Sequence, residues 1–349
     1  MIHQWKIKYQ DSDFLVHEVS LQPEYKKISE STYSYIWVTK RGYTTFEVID
    51  LIGEFLEIDR HEVAVQGLKD EDGITSQLMS VKVILEESDI ARFNKRAGGG
   101  SRWVRIDRVN GFGDKHVQAK KLHGNVFTIT LRNFKQQPAE NLEKHLAANK
   151  NFTYINYYDN QRFGLPGGPY VTHLIGKEIV EGNWKGAFEY YVQSGNHKNE
   201  QDVHGRLKIV GGYESFFRSL DRRKVKFFIS AHNSMLWNLA VSSMLMETGV
   251  GALKKFEHIG ALAVPICSKQ ALPSLCSCKG FEYDEGYNSV ISQPINRSVI
   301  GTTKLFFLDS SDDELHPGMK KVVLSFMLPT GSYATMVIKQ LMEYVDSQG

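Results

Sequence analysis

The sequence contains little of what stabilises secreted proteins or anchors proteins in membranes. Three of its 349 residues are cysteine (Cys267, Cys276 and Cys278), and so sparse and odd a count argues against a disulfide framework and fits a reducing compartment. No apolar run approaches the roughly 20 residues of a membrane-spanning helix. The first residues, "MIHQWKIKYQ", lack the apolar centre of a signal peptide. These absences predict a soluble protein of the cytoplasm.

Motifs for cofactors and metals are also missing. The sequence has no Walker A loop, no dinucleotide-binding GxGxxG between a strand and a helix, no HExxH and no GxSxG. Cys276 and Cys278 form a C-x-C pair with His258 and Cys267 upstream. Zinc sites usually space their paired cysteines more widely, so idle or buried thiols are the expected interpretation. We therefore expect no metal, no cofactor and no serine nucleophile.

Charge is balanced over the whole chain but not along it. The formal net charge is +2, whereas residues 92–135 carry eleven Lys and Arg against two Asp. Basic side chains neutralise phosphates, and Trp103 and Phe112 in the same stretch are able to stack on unpaired bases. This pattern predicts contact with nucleic acid. The alternative is a solvated strand face with ordinary core aromatics.

Hydrophobic patterning predicts an α+β fold. The aromatic and β-branched run "YIWV" (35–38) indicates a strand, and Thr45 is placed to cap the amphipathic helix that follows. The prolines and glycines of "LPGGPY" (165–170) interrupt the chain. Beyond them the elements alternate irregularly, which favours α+β over a doubly wound α/β fold. We expect strands and helices at both ends of the chain to flank an inserted middle region.

One acidic loop is a candidate for chemistry. Asp70 lies in "GLKDEDGITSQ" (67–77), just after a predicted strand, where a carboxylate can act as a nucleophile or a general base. From composition alone, a turn acid that hydrogen-bonds its own backbone is the alternative. Adjacent side chains on an extended segment point apart, so Lys69 is not expected to pair with Asp70.

Five stretches of the sequence resemble the TruD-type tRNA pseudouridine synthases. They are "DFLVHEV" (13–19), "KRGYTTFEVIDLIGEFLEIDRHEVAVQGLKDEDGITSQ" (40–77), "LHGNVFTITLRN" (122–133), "INYYDNQRFG" (155–164) and "LPTGSYATMVIKQL" (328–341). The resemblance implies a pseudouridine-synthase catalytic domain with a mixed, mainly antiparallel sheet, formed by residues 1–168 and 319–349. It also implies a mid-chain α+β insertion, the TRUD domain, over residues 169–318.

The resemblance also implies the site residues. The catalytic aspartate of the family falls on Asp70. Tyr158 and Tyr333 stand where many members have Phe, so each keeps a ring for stacking. Arg162 and Lys339 are expected to face RNA or to be structural. Together with two lysines of the basic stretch, the residues expected to bind the substrate are Lys8, Phe14, Glu18, Asn156, Tyr158, Tyr333, Lys120 and Lys121. A second basic stretch, "RSLDRRKVK" (218–226), is a further candidate for RNA contact.

The implied activity is the isomerisation of a uridine in tRNA to pseudouridine by a monomeric, cofactor-free enzyme. Bacterial members act on the uridine at position 13 of tRNA, in the D-arm. A synthase for other positions or other RNAs, and a non-catalytic RNA-binding protein or chaperone on the same scaffold, are the alternatives. A remoter alternative is an RNA hydrolase that uses Asp70 with Glu71 or Asp72. The sequence around Asp70 favours the synthase.

Overall fold

The computed structural model describes residues 5–164, 168–194, 200–249, 251–265 and 297–346, so the three cysteines lie outside the described residues. The chain divides into two units, one of Met1–Phe152 with Thr303–Gly331 and the other of Thr153–Thr302 with Ser332–Gln348. Within the described ranges no helix combines the length and the apolar character needed to cross a membrane.

The strands and helices follow one another along both units. The strands are β1 (Phe14–Ser20), β2 (Tyr33–Arg41), β3 (Val63–Val65), β4 (Ile74–Val81), β5 (Trp103–Gly113), β6 (Leu122–Phe134), β7 (Asn151–Ile155), β8 (Gly251–Phe256), β9 (Gly260–Pro265), β10 (Ile300–Lys304), β11 (Phe306–Asp312) and β12 (Lys320–Pro329). The helices are α1 (Thr45–Leu56), α2 (Glu87–Ala97), α3 (Gln136–Ala148), α4 (Thr172–Val180), α5 (Trp184–Gln193), α6 (Glu200–Val210), α7 (Tyr213–Ser219), α8 (Arg222–Glu247) and α9 (Ala334–Asp346).

The first unit is built on an eight-stranded sheet in the order β11-β12-β6-β1-β4-β2-β5, with β3 paired to β4. β1 and β4 run parallel, and the other neighbours run antiparallel. Both β1 and β3 pair with β4: β1 at residues 74–76 of β4 and β3 at residues 79–81. The loop from β3 to β4 therefore begins beside Met79 of β4 and finishes beside the start of β1.

Both faces of the central strand β2 are covered, which explains its unbroken apolar run. Ile36 and Val38 pack with helices α1 and α2 in one buried cluster, whereas Tyr35 and Trp37 belong to a second cluster. The predicted helix after β2 is present, but Thr44, not Thr45, caps it, in a reciprocal capping box with Glu47. Thr45, one residue later, points into the protein and is buried.

The second unit is largely helical. Helices α4, α5, α6, α7 and α8 bury a cluster rich in phenylalanine, and the long helix α8 also contributes Trp237, Val241 and Leu245 to a second cluster. That second cluster includes Tyr157 from the segment after β7 and residues of the β8–β9 hairpin. Met336 on α9 belongs to it as well. The boundaries of the two units in the sequence differ from the predicted limits 168/169 and 318/319. The assignment of residues 169–318 to a TRUD insertion stays a prediction.

Candidate active site

The segment between β3 and β4, residues 66–73, holds Asp70, and we call it the carboxylate loop. It ends at Gly73, whose φ of +153° is a conformation that side chains disfavour. A Cβ at this glycine would lie 2.6 Å from the carbonyl oxygen of Phe14, so only glycine lets the loop pass this close to β1. The backbone thus fixes where Asp70 sits relative to the start of β1.

The carboxylate of Asp70 is accessible and lies beside a cation. Its side chain is 40% exposed, and its Oδ2 accepts a hydrogen bond of 3.2 Å from Lys8 Nζ. The same ammonium group lies 4.2 Å from the centroid of the Phe14 ring. The structure therefore brings together three of the predicted site residues of this unit around one positive charge.

A buried lysine holds the backbone of the loop. Lys40, at the end of β2, is 1% exposed, and its Nζ donates hydrogen bonds to the carbonyl oxygens of Asp70 and Tyr43. Burial lowers the pKa of Lys40 to about 8, and the negative charge of Asp70 opposes this shift. Lys40 was not among the predicted site residues, because a lone lysine inside a strand gives no local sign that its ammonium group is buried.

Glu18 and Lys69 form a buried pair under the loop. Their side chains are 0% and 4% exposed, and Lys69 Nζ donates to Glu18 Oε2 at 2.6 Å. Burial raises the pKa of Glu18, while Lys69 opposes the rise. The alternation of β1 puts Glu18 on the same buried face as Phe14 and Val16. Glu18 was predicted to contact the substrate; in the structure its carboxylate is buried against Lys69, the residue next to Asp70.

The second unit holds the predicted base-binding aromatics. The ring of Tyr158 stands 5.7 Å from that of Trp237 at 89° and 6.0 Å from that of Tyr333. Asn238 on α8 fixes the backbone of Tyr158 by donating to its carbonyl and accepting from its N–H, each at 2.9 Å. Burial raises the pKa of Tyr333 to about 12, so this hydroxyl is a neutral donor near pH 7.

Arg297 connects these residues, and sequence reasoning missed it. Its guanidinium lies 4.1 Å from the centroid of the Tyr158 ring and donates to the backbone carbonyl of Asn156 and, at 2.8 Å, to Asn156 Oδ1. Burial lowers the pKa of Arg297 below its ordinary value. Nothing in "PINRSVI" marks this arginine, because its partners are about 140 residues away in sequence.

The contact with Arg297 settles how the amide of Asn156 is oriented. An arginine has only donors, so the atom that it contacts must be the amide oxygen. The amide nitrogen then faces the carbonyl oxygen of Ser298, 3.3 Å away. Nδ2 carries two hydrogens and a carbonyl takes one of them. Asn156 therefore keeps one Nδ2 hydrogen that it can donate to a ligand beside it.

Comparison with known proteins gives the family. The sequence model of the family described as tRNA pseudouridine synthase D (TruD) matches residues 3–210. The chain belongs to this family. A probable tRNA pseudouridine synthase D of Methanosarcina acetivorans is 25% identical over 97% of this chain and 92% of the relative. The tRNA pseudouridine synthase D of Leptospira interrogans is 24% identical over 95% of this chain and 97% of the relative.

A solved structure supports the fold. The putative tRNA pseudouridine synthase D of Methanosarcina mazei superposes with a TM-score of 0.63 at 22% identity, over 97% of this chain and 93% of that one. The predicted family is therefore confirmed, as is the predicted α+β fold with a mixed, mostly antiparallel sheet.

The basic stretch of this TruD-family chain is less cationic than its composition indicates. Within the described residues, five of its cations form ion pairs: Arg92, Arg96, Arg102, Arg105 and Arg132. Arg132 is 3% exposed and joins Asp13 to Asp313. Its role is thus structural. Trp103 and Phe112 are half-buried strand residues.

Lys120 and Lys121 remain candidates for RNA contact. Both are exposed, in a short 3₁₀ turn (Ala119–Lys121) that leads into β6, and in the part of the chain that the structure describes neither forms an ion pair. The next residue, Leu122, packs against the carboxylate loop, because a Cβ on Gly67 would lie 2.7 Å from its Cδ2. The two lysines are therefore close to the loop that holds Asp70.

Lys339 and Arg162 have different surroundings. Lys339 Nζ donates at 2.6 Å to the buried carboxylate of Asp159, which indicates a structural role. Arg162 contacts two serine hydroxyls on α8, Ser230 and Ser234, and no carboxylate among the described residues.

Proposed function

We propose that the protein isomerises uridine to pseudouridine in tRNA with Asp70 as the catalytic carboxylate. The observation that carries the proposal is the arrangement of charges around the carboxylate loop. The ammonium groups of Lys40 and Lys69 lie in buried contacts under the loop. The carboxylate of Asp70 is accessible and lies beside Lys8. The buried contacts hold the loop in place, and the accessible carboxylate of Asp70 is proposed to approach the ribose.

The chemistry needs a carboxylate and no co-reactant. The reaction breaks the C1′–N1 bond of uridine, turns the uracil and joins C5 to C1′. C5 loses its proton and N1 takes one up, so product and substrate have the same composition. Positive charge develops at C1′ as the bond breaks, and an adjacent carboxylate stabilises it, as in glycosidases. Asp70 takes this role either by bonding to C1′ or by accepting the 2′ proton, and both routes require its ionised form. The ammonium group of Lys8 is placed to stabilise that form.

The aromatic residues of the second unit are assigned to the uracil. The target base has to leave the RNA stack, which costs a few kcal/mol. Tyr158 and Tyr333 are proposed to offset part of this cost by stacking. The Nδ2 donor of Asn156, oriented by Arg297, is proposed to bind a uracil carbonyl oxygen. A cytosine offers an amino group where uracil has O4, so a donor facing that edge selects uracil.

The target is proposed to be uridine 13 of tRNA. The family match and the full-length relatives named for tRNA support a tRNA substrate. Lys120 and Lys121 are proposed to bind its backbone. Chemical mapping of pseudouridine in tRNA from cells with and without the protein tests the position. If cells without the protein instead lack pseudouridine at a different uridine or in another RNA, that uridine or RNA is the target.

The central test compares two neighbouring acids of the carboxylate loop. Asp70→Asn is expected to reduce tritium release from tRNA labelled at C5 of uridine by about 10³-fold or more while tRNA binding persists. Glu71→Gln is the matched control, because Glu71 is an exposed acid of the same loop and should be dispensable. Normal release by Asp70→Asn, or equal loss of binding and release, would remove Asp70 from the chemistry. A protein that binds tRNA but never releases tritium would be a non-catalytic binder.

A further inference from the structure

Helix α8 begins with a concentration of positive charge where a helix least favours it. Its sequence starts "RRKVK", and the first turn contains no acidic residue. The N-terminus of a helix carries a partial positive charge, so cations there are unfavourable by a few tenths of a kcal/mol or more. Between the capping Asp221 and the final Glu247 the helix has no carboxylate. An anionic partner would make this arrangement favourable.

An exposed phenylalanine follows the basic turn. Phe227 is 43% exposed, although its neighbour Phe228 is buried. Residues 223, 227, 230 and 234 follow one another at steps of three and four, so they lie on one side of α8. Arg223 is exposed one turn before Phe227 on this side. The strip therefore combines a ring with a cation and leaves both accessible.

Arg162 lies on the same strip and is held by it. Its Nε donates at 3.0 Å to Ser234 and its Nη2 donates to Ser230. Its Cζ is 5.4 Å from the centroid of the Phe227 ring and 6.0 Å from that of Tyr158. The guanidinium thus lies between an exposed ring and the ring that is proposed to hold the target uracil.

We propose that Arg162 and Phe227 form a subsite for the nucleotide next to the target uridine. Arg162 binds its phosphate, and Phe227 stacks on its base. The inference rests on the proposed function, because Tyr158 marks the place of the target base. Flipping a base out leaves its neighbour without a stacking partner, and Phe227 replaces that partner. The subsite therefore lowers the cost of flipping.

The chemistry of the subsite sets its selectivity. A phenylalanine ring stacks on any base, so the neighbouring base contributes by its presence more than by its identity. The serine contacts of Arg162 leave its charge uncompensated by any carboxylate among the described residues, as a phosphate site requires. The exposed Arg223 extends the same strip toward a further phosphate.

The test is a double-mutant cycle between protein and RNA. Phe227→Leu keeps an apolar side chain and removes the ring, and Phe227→Tyr keeps the ring. Three tRNA transcripts are compared: the intact tRNA, one with an abasic site directly before the mapped target uridine, and one with an abasic site directly after it. We expect Phe227→Leu to weaken binding of intact tRNA by about 5-fold or more, since stacking on one base is worth about 1–3 kcal/mol. One of the two abasic tRNAs should bind this variant and the wild type alike.

The cycle separates this proposal from the catalytic one. It measures equilibrium binding, so a protein that makes no pseudouridine still gives a result. An unchanged affinity of Phe227→Leu for intact tRNA would overturn the subsite, as would an equal loss on intact and both abasic tRNAs. Arg162→Gln should reduce the slope of log affinity against log salt by about 0.7–0.9, the value for one phosphate. An unchanged slope would exclude Arg162 from phosphate binding.

Discussion

Lys69→Met is expected to destabilise the protein strongly, because it leaves Glu18 buried without its cation. The two charged atoms are 2.6 Å apart and both side chains are almost fully buried. Removing one partner of such a pair costs about 3–5 kcal/mol. Alternatively the carboxyl takes up a proton, which at pH 7 costs about 3.7 kcal/mol for a group with an ordinary pKa of about 4.3. The two values agree, so we expect a loss of about 3–4 kcal/mol in unfolding free energy.

The loss should shrink in acid, and the sign follows from the protonation of Glu18. Burial raises the pKa of Glu18, and removing Lys69 removes an interaction that lowers it. In the variant the folded state therefore binds more protons than the unfolded state above about pH 4.3, and its stability increases as the pH falls. At pH 5 the cost of protonation is only about 1 kcal/mol. Urea unfolding followed by circular dichroism at pH 7 and pH 5 measures both values.

An exposed ion pair in the same unit, formed by residues that flank β3 and β4, serves as the control. Lys82 and Glu62 are 2.8 Å apart, with side chains 48% and 32% exposed, so Lys82→Met should cost less than about 1 kcal/mol. The double variant Glu18→Gln/Lys69→Met should recover most of the stability, because no buried charge remains. A loss below about 1 kcal/mol for Lys69→Met at pH 7, or a loss that does not shrink at pH 5, would refute this reasoning.

Three further predictions concern the remaining residues of the two units. Lys40→Met should lose stability relative to the wild type increasingly with pH, by up to about 1.4 kcal/mol per unit between pH 8 and 10 in urea unfolding. The reason is that burial lowers the pKa of Lys40 to about 8, so above that pH the unfolded wild type binds more protons than the folded one. Arg297→Gln should lower kcat/KM by about 10-fold or more in the tritium assay, since it removes a charged hydrogen bond to Asn156. Lys120→Ala with Lys121→Ala should reduce the slope of log tRNA affinity against log salt by about 1.4–1.8.

Each of these predictions has an outcome that contradicts it. A stability difference between wild type and Lys40→Met that is constant from pH 8 to 10 would show that burial does not shift the titration of Lys40. Unchanged kcat/KM in Arg297→Gln would mean that activity does not depend on the contact by which Arg297 orients the amide of Asn156. For the two lysines the control is Lys185→Ala, an exposed lysine 4.0 Å from Glu189 on α5, which should leave the salt slope unchanged. Equal slopes in wild type and double variant would remove the 3₁₀ turn from the RNA contact surface.

Local patterns predicted much of the fold and part of the site. The apolar run of β2 and the helical spacing of α1 depend on neighbours within a few residues, and both elements are present. The alternation of β1 contains the information that Glu18 lies inward with Phe14 and Val16. The sequence thus carried the signal that the side chain of Glu18 is buried. The shift of the cap from Thr45 to Thr44 is the usual one-residue uncertainty at a helix end.

The sequence by itself determined the family, the α+β class and the loop on which the candidate carboxylate lies, because each depends on residues that are close together in the chain. Only the tertiary structure decided which charges meet. Lys8 reaches Asp70 across 62 residues, Arg132 reaches Asp313 across 181, and Arg297 reaches Asn156 across 141. Such partners depend on strand order and register, which place distant residues side by side. For that reason the composition of residues 92–135 overstated their free charge, and no local pattern revealed Lys40 or Arg297.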